Sequence, residues 1–382
     1  MRPAPAMLAA VMAALAAFGA AQGLTYPLLT ILMQKQALSP SLIGLSTAMT
    51  PLGLILSASL VPAAVRLFGA RGLAVAAALA AAVCFIAIGY LQNWVAWFLM
   101  RLILGFVVNP LYILGEVWAL ALSPPERRGR MMGVFNTLMG VGYAAGPLAL
   151  WLVGTEGWPP FLIGVAGFTG CAVVLALASR GLPGFEDDGG ERLSFAWFLA
   201  AAPALVAAVA VAAASQQSLY SLIPVFGSAY GLSEGALAAL VTALSVGNIV
   251  LQTPLGLAAE RLGGRTMIIV CAVLVSLCAL LMPLLIGGMG IWPLLVVMGG
   301  VGYGVYTMAL VELGERFRGS ALVTGNAAFA VMWGAGGIVG PPGTGLVMEW
   351  LGPIGLPGLI AAQSLLLVAF AVLRARRRAG AP

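Results

Sequence analysis

From about residue 7 to residue 373 the chain is a succession of apolar runs separated by short polar stretches, and this pattern restricts its possible folds more than any other feature. A run of about 20 apolar residues is what a helix needs to cross the hydrocarbon core of a bilayer, where every backbone N–H and C=O must be bonded within the chain. Twelve spans are predicted, at roughly 7–33, 42–62, 72–91, 95–121, 131–153, 160–179, 195–226, 236–258, 266–286, 291–313, 320–347 and 354–373. Only 8% of the residues are charged and 62% are apolar. A water-soluble globule carries about 25% charged residues, so this chain cannot cover itself with polar groups. The expected class is an all-α membrane protein of twelve transmembrane helices.

The same composition excludes several chemistries. There is no histidine, and Cys84, Cys171, Cys271 and Cys278 are isolated inside apolar runs. That leaves no zinc, haem or iron–sulfur ligand set, so neither a metal nor a cofactor is expected. Counting alone does not exclude a disulfide, but thiols within spans generally act as small apolar groups. Without histidine there is no Ser/His/Asp or Cys/His nucleophile set, and no paired aspartates lie in the spans, so an enzyme is not expected. The loops are too short to hold a soluble sensor domain.

The formal charge of +6 could point to nucleic acid, but its distribution argues for topology. Arg2, Arg66, Arg71, Arg127, Arg128, Arg130, Arg180, Arg192, Arg261, Arg265, Arg316, Arg318, Arg374, Arg376, Arg377 and Arg378 all fall at the chain ends or in every second connection. They are sixteen of the eighteen basic residues; Lys35 lies on the opposite side and Arg101 inside a span. This bias predicts cytoplasmic termini in a multi-pass protein of the bacterial inner membrane, with the lipid bilayer and not nucleic acid as its surroundings. The stretch MRPAPAMLAAVMAALAAFGAAQG has the marks of a cleavable leader. It is read as a retained first helix because its polar end is repeated later.

That repeat has a constant offset of 194 residues. Gln22 and Tyr26 match Gln216 and Tyr220, Gly53 matches Gly247, Cys84 matches Cys278, and Gly105 matches Gly299. Tyr112 matches Tyr306, and Gly142, Gly146 and Pro147 match Gly336, Gly340 and Pro341. Alanine and leucine matches arise by chance in such a composition; glutamine, tyrosine and Gly-x-x-x-Gly-Pro at one offset do not readily do so. The predicted organisation is two six-helix bundles, 1–179 and 195–382, joined by a charged cytoplasmic linker, 180–194. Parallel repeats of this kind suit a transporter whose site lies between the halves.

The stretch Gly256-Leu-Ala-Ala-Glu260-Arg261-Leu-Gly263-Gly-Arg265 has a counterpart in Pro62-Ala-Ala-Val-Arg66-Leu-Phe-Gly69-Ala-Arg71. Both resemble the G-x-L-A-D/E-R-x-G-R-R signature of the major facilitator superfamily; the second is the closer, and the first lacks the acid. The resemblance implies a cytoplasmic gate formed by Arg66, Gly69, Arg71, Glu260, Arg261, Gly263 and Arg265, in which the acid bonds arginines across an interface. The alternative is an orientation signal with a tight turn. Arg101-Leu-Ile-Leu-Gly105 resembles the superfamily's R-x-x-x-G motif, whose arginine is linked to proton coupling. A snorkelling, merely tolerated arginine is the other reading.

With no histidine, a side-chain proton carrier must be a carboxylate, and Glu116 is the most embedded of these, followed by Glu312. Glu116 lies 15 residues beyond Arg101, roughly 22 Å along a straight helix, so the two cannot pair directly. For both acids a structural salt bridge to loop arginines is the competing role. Gly142, Gly146, Pro147, Gly336, Gly340 and Pro341 resemble the superfamily's antiporter-associated glycine motif, and small-residue helix packing would account for the same pattern.

In this superfamily spans 1, 4, 7 and 10 face a central cavity. The resemblance therefore implies a pathway containing Gln22, Tyr26, Asn109, Tyr112, Gln216, Gln217, Tyr220, Tyr303 and Tyr306, with Asn136, Asn248, Asn326 and Trp333 from flanking spans. Such a lining, with few charges and many amides and aromatic rings, suits a weakly polar or cationic, partly hydrophobic solute. The expected function is proton-coupled export of a small amphipathic compound by alternating access, acting as a monomer, with proton-coupled uptake or facilitation as the alternative.

Overall fold

The computed structural model describes the backbone of residues 5–121, 128–178 and 195–379, and every described element is helical. In chain order these are α1 (Pro5–Lys35), α2 (Pro40–Ala58), α3 (Val61–Tyr90), α4 (Trp94–Ala121), α5 (Arg128–Val153), α6 (Pro159–Ala178) and α7 (Phe195–Ala201). Then follow α8 (Pro203–Ala229), α9 (Glu234–Val250), α10 (Gln252–Leu262), α11 (Gly264–Leu285), α12 (Ile291–Arg316), α13 (Gly319–Leu351) and α14 (Gly355–Ala379). The predicted linker 180–194 lies outside the described residues.

Among the described residues nine stretches are long and apolar enough to cross a membrane, and α9 with α10, bent by 44°, makes a tenth. One of the nine, 324–374, joins α13 and α14, and α5 supplies a shorter apolar segment, Thr137–Val153. Counted separately, these give the twelve spans predicted.

The structure corrects three boundaries. The predicted span 195–226 is interrupted at Ala202, where φ −136° and ψ 48° break α7 from α8 ahead of Pro203, and 236–258 is interrupted at Leu251. The signature stretches, expected as loops, are mostly helical: α3 begins at Val61 and turns at Gly69 (φ 72°), and α10 ends at Leu262, capped by Gly263 (φ 80°). A positive φ strains any residue bearing a Cβ, which is why glycine stands at both repeat-related positions.

The chain forms two compact units. The first contains Met1–Ala37, Met49–Asp187 and Glu234–Thr242; the second contains Leu38–Ala48, Asp188–Ser233 and Ala243–Pro382. Within the first, α1 packs on α4, α5 and α6, and α3 packs on α4 and α6. Within the second, α8 packs on α12, α13 and α14, and α11 packs on α12 and α14. Moving every partner by 194 residues converts the first list into the second.

The repeat extends to single backbone contacts. A methyl at Gly53 would stand 2.6 Å from the Phe106 nitrogen, and one at Gly105 would stand 2.9 Å from the Thr50 carbonyl carbon. In the second unit, a methyl at Gly247 would lie 2.6 Å from the Val296 carbonyl carbon, and one at Gly299 would lie 2.7 Å from that of Leu244. Thr50 and Leu244 are themselves 194 residues apart. The matched glycines are therefore the points where α2 touches α4 and α9 touches α12 backbone to backbone, a packing available only without a Cβ.

Each core is then filled by buried apolar groups. Phe18, Phe85 and Phe168 form a ring stack in the first unit, with centroids 5.5–6.0 Å apart. All four cysteines are free and buried, as small apolar groups would be.

One further tie joins distant sequence in the first unit. Lys35 Nζ, at the end of α1, lies 2.6 Å from Glu234 Oε1, at the start of α9, and donates to Thr155 Oγ1 at 2.9 Å. The Thr155 hydroxyl in turn donates to the Glu234 carboxylate. In the second unit, the Ser41 hydroxyl and backbone N–H both donate to Glu349, and Thr47 and Ser221 hydroxyls meet at 2.7 Å.

Candidate functional site

In the first unit, α1 brings Phe18, Gln22 and Tyr26 onto one face at four-residue spacing, and α4 sets out Arg101, Gly105, Asn109, Tyr112 and Glu116 at intervals of three and four. Gly105 lets α4 close onto α2, and this approach seats Asn109, whose amide donates to the Leu54 carbonyl at 3.0 Å. Gln22 is 2% exposed and its side chain is hydrogen-bonded to Tyr112. The Tyr112 hydroxyl also meets that of Tyr143, and its ring stands edge-on to Phe18 with centroids 4.8 Å apart.

Arg101 is 1% exposed, with Nη2 3.5 Å from the Thr25 carbonyl and Tyr26 within electrostatic reach. The snorkelling reading of Arg101 is thereby overturned. The guanidinium points into the bundle, where a charge is maintained only by surrounding dipoles and partners.

The second unit repeats the arrangement with different groups. Gln216 is 3% exposed and donates to the Gly299 carbonyl at 3.2 Å; its neighbour Gln217 donates to the Trp333 carbonyl at 3.1 Å. Ser245 donates to the Tyr220 hydroxyl at 3.4 Å. Tyr303, Tyr306 and Trp333 form an aromatic triangle with centroids 4.8–5.7 Å apart, and Phe329 extends it beside Tyr306. Asn248 accepts from Gln252, which also donates to the Gly300 carbonyl and accepts from Thr307 at 2.8 Å.

Two acceptors in these clusters, one in each unit, share a condition. The Gln22 and Gln216 amide oxygens are buried and have no hydrogen-bond partner among the described residues. They occupy equivalent positions of the two repeats. A buried acceptor without a donor destabilises a fold by about 1–3 kcal/mol, so two at matched positions point to an external donor.

Other expected site residues stand apart. Glu116 continues the α4 stripe one turn beyond Tyr112, and its side chain is accessible next to the buried Leu114 and Trp118. Asn326 is likewise exposed, and the side chain of Asn136 lies outside the described residues. Glu312 forms an ion pair with Arg316 at 3.5 Å, one turn on, which is the structural role set against proton carriage.

In the gate stretches, Arg66, Glu260 and Arg261 are exposed, and Glu260 joins no ion pair among the described residues. Arg71 instead donates to the Ala176 carbonyl and Arg265 to that of Ala371 at 3.4 Å. Gly142 and Gly146 lie against Ala16 and Ala20 of α1, and Gly336 and Gly340 lie against Ala210 and Ala214 of α8, so the glycine motif sits at helix–helix contacts. Both α5 and α13 remain helical through Pro147, Pro341 and Pro342.

Tyr143, Gln252, Thr307 and Phe329 were not among the residues expected. Tyr143 has a signal only in hindsight: where the first unit sets Gly23 against Tyr143, the second sets Gln217 against Gly337, the same contact with its large member exchanged.

Repeated helical bundles of apolar spans, each holding a sparse polar and aromatic cluster, define a polytopic membrane protein equipped to bind a solute. The family model of the Major Facilitator Superfamily matches residues 10–240 and 205–382. The chain belongs to that superfamily and is a secondary transporter, not an enzyme.

Among curated relatives, an MFS-type transporter of Bacillus subtilis named YfkF is 23% identical over 348 residues, covering 87% of this chain and 86% of that one. The MFS-type transporter YE1530 of Yersinia enterocolitica is 23% identical over 262 residues, covering 67% and 66%. Among solved structures, the nucleoside transporter NupG aligns with a TM-score of 0.75 at 12% identity, over 96% of this chain and 98% of that one. A bacterial homologue of the human lysosomal transporter Spinster aligns with a TM-score of 0.74 at 15% identity, over 98% and 97%. At these identities the structural likeness concerns the fold alone.

Proposed function

We propose that the protein exports a small amphipathic organic compound bearing N–H or O–H donors, in exchange for protons, by alternating access to the two faces of the membrane. The observation that carries this reading is the pair of buried, unpartnered acceptors Gln22 Oε1 and Gln216 Oε1, each in a cluster that also holds aromatic rings. An amide oxygen selects a donor, and tyrosine and tryptophan faces select an apolar or cationic body. Arg101 disfavours a second cation at its own end of the first cluster, so a cationic group would engage the second cluster. Glu116 is the proposed proton carrier: one turn from Tyr112 on α4, it would exchange its proton for solute because the two cannot stably occupy the same region.

A second reading, facilitated transport without proton exchange, is favoured by one observation. Among the described residues no carboxylate hydrogen-bonds to either glutamine.

Inverted vesicles containing the full chain, acidified inside and offered a fluorescent aromatic amine, test the proposal. Accumulation that collapses on dissipating the gradient, and is lost in Glu116→Gln, is expected. Solute leaving the vesicles under the same gradient supports uptake, and gradient-independent equilibration supports facilitation; either outcome overturns export.

A further inference from the structure

The second unit holds a pocket apart from its glutamine and aromatic cluster. It is a small cleft with a cavity volume of about 30 Å³, open to its surroundings, where α8 begins and where α11, α12 and α14 present their arginines. Arg265, Arg316 and Arg374 line it with the single acid Glu312, leaving a net charge of two positive, and Leu205 and Ile268 supply apolar wall. Arg265 uses one N–H on the Ala371 carbonyl, and Arg316 faces Glu312 at 3.5 Å. Each guanidinium has five N–H donors, so among the described residues most of the donor capacity in the pocket is open to an anion. The start of α8 adds a little positive potential: Ala202 caps it without a side-chain hydrogen bond and Pro203 occupies the first turn.

At the 194-residue offset Arg71 and Arg180 match Arg265 and Arg374, whereas Trp118 and Leu122 stand where the second repeat has Glu312 and Arg316. The third arginine and the acid are therefore what the second repeat adds.

We infer that this pocket binds a phosphate group carried by an anionic membrane lipid, with Arg265, Arg316 and Arg374 holding the phosphate oxygens and Leu205 and Ile268 contacting the glycerol and upper acyl carbons. Cationic clefts between spans are suited to phosphate headgroups, and a lipid fits better than free phosphate because most of the wall is apolar and the cleft is open, so the rest of the molecule can lie outside it.

The test uses the purified full chain in detergent, with native mass spectrometry and thermal unfolding in phosphatidylglycerol, phosphatidylcholine or inorganic phosphate. Phosphatidylglycerol should be retained and should raise the melting temperature, while phosphatidylcholine does neither. In the double variant Arg316→Gln, Arg374→Gln the phosphatidylglycerol affinity should fall roughly tenfold to thirtyfold, and Arg316→Lys, Arg374→Lys should restore most of it. Glu312→Gln should bind phosphatidylglycerol more tightly, an outcome that general damage to the fold cannot give. Equal binding of phosphatidylcholine, or unchanged affinity in the double glutamine variant, overturns the site. Full stabilisation by inorganic phosphate alone overturns the lipid as its source.

Discussion

Replacing Gly247 by alanine sets two effects of opposite sign against each other. In a helix interior, alanine is favoured over glycine by about 1 kcal/mol, so local propensity alone predicts a more stable protein. The tertiary structure predicts the reverse. The new methyl would stand 2.6 Å from the Val296 carbonyl carbon, about 0.8 Å inside the 3.4 Å at which ordinary contact begins. Because the obstructing atoms are backbone, no rotamer change relieves the overlap, and α9 and α12 must move apart. Overpacking of a close-packed interior costs about 1–3 kcal/mol, and a backbone obstruction belongs at the upper end. The net expectation is a loss of roughly 2 kcal/mol, a fall of roughly 4–8 °C in melting temperature.

The control is Gly170→Ala in α6, where a methyl meets nothing within 4 Å and propensity should prevail. Gly53→Ala, the repeat counterpart, should behave like Gly247→Ala. Thermal unfolding in a single detergent decides the matter: if Gly247→Ala melts at or above Gly170→Ala, the backbone contact and the symmetry argument built on it are refuted.

Gln216→Leu removes the unpartnered acceptor along with one hydrogen bond to Gly299, so stability should hold or rise by up to about 2 kcal/mol while solute binding, read by fluorescence titration, falls; a destabilised variant that binds normally would contradict the site. Gly263→Ala places a Cβ at φ 80° and should lose roughly 1–2 kcal/mol, whereas Gly256→Ala, with open space around it, should not; equal melting temperatures would show that the turn relaxes freely. Lys35→Met breaks a half-exposed ion pair with Glu234, so its cost should be only about 0.2–1 kcal/mol and should shrink in high salt; a larger, salt-independent loss would assign Lys35 a different role.

Amino-acid order by itself determined that the chain is a bundle of membrane spans and that it is a tandem repeat. Water and hydrocarbon impose those features through run length and charge placement, which are linear properties, and the repeat shows in residues too distinctive to match by chance. It also marked Gly53, Gly105, Gly247 and Gly299, although the reason for them, mutual approach of backbones, is visible only in space.

Tertiary structure decided everything that depends on which way a helix is turned. It buried Arg101 instead of letting it snorkel, paired Glu312 with Arg316 and gathered three arginines from three helices around one pocket. In a span that is apolar on nearly every side, the sequence carries almost no amphipathic signal to orient the helix. The rotation is set by close packing against neighbours far away in the chain, and that choice determines which polar atoms face a ligand.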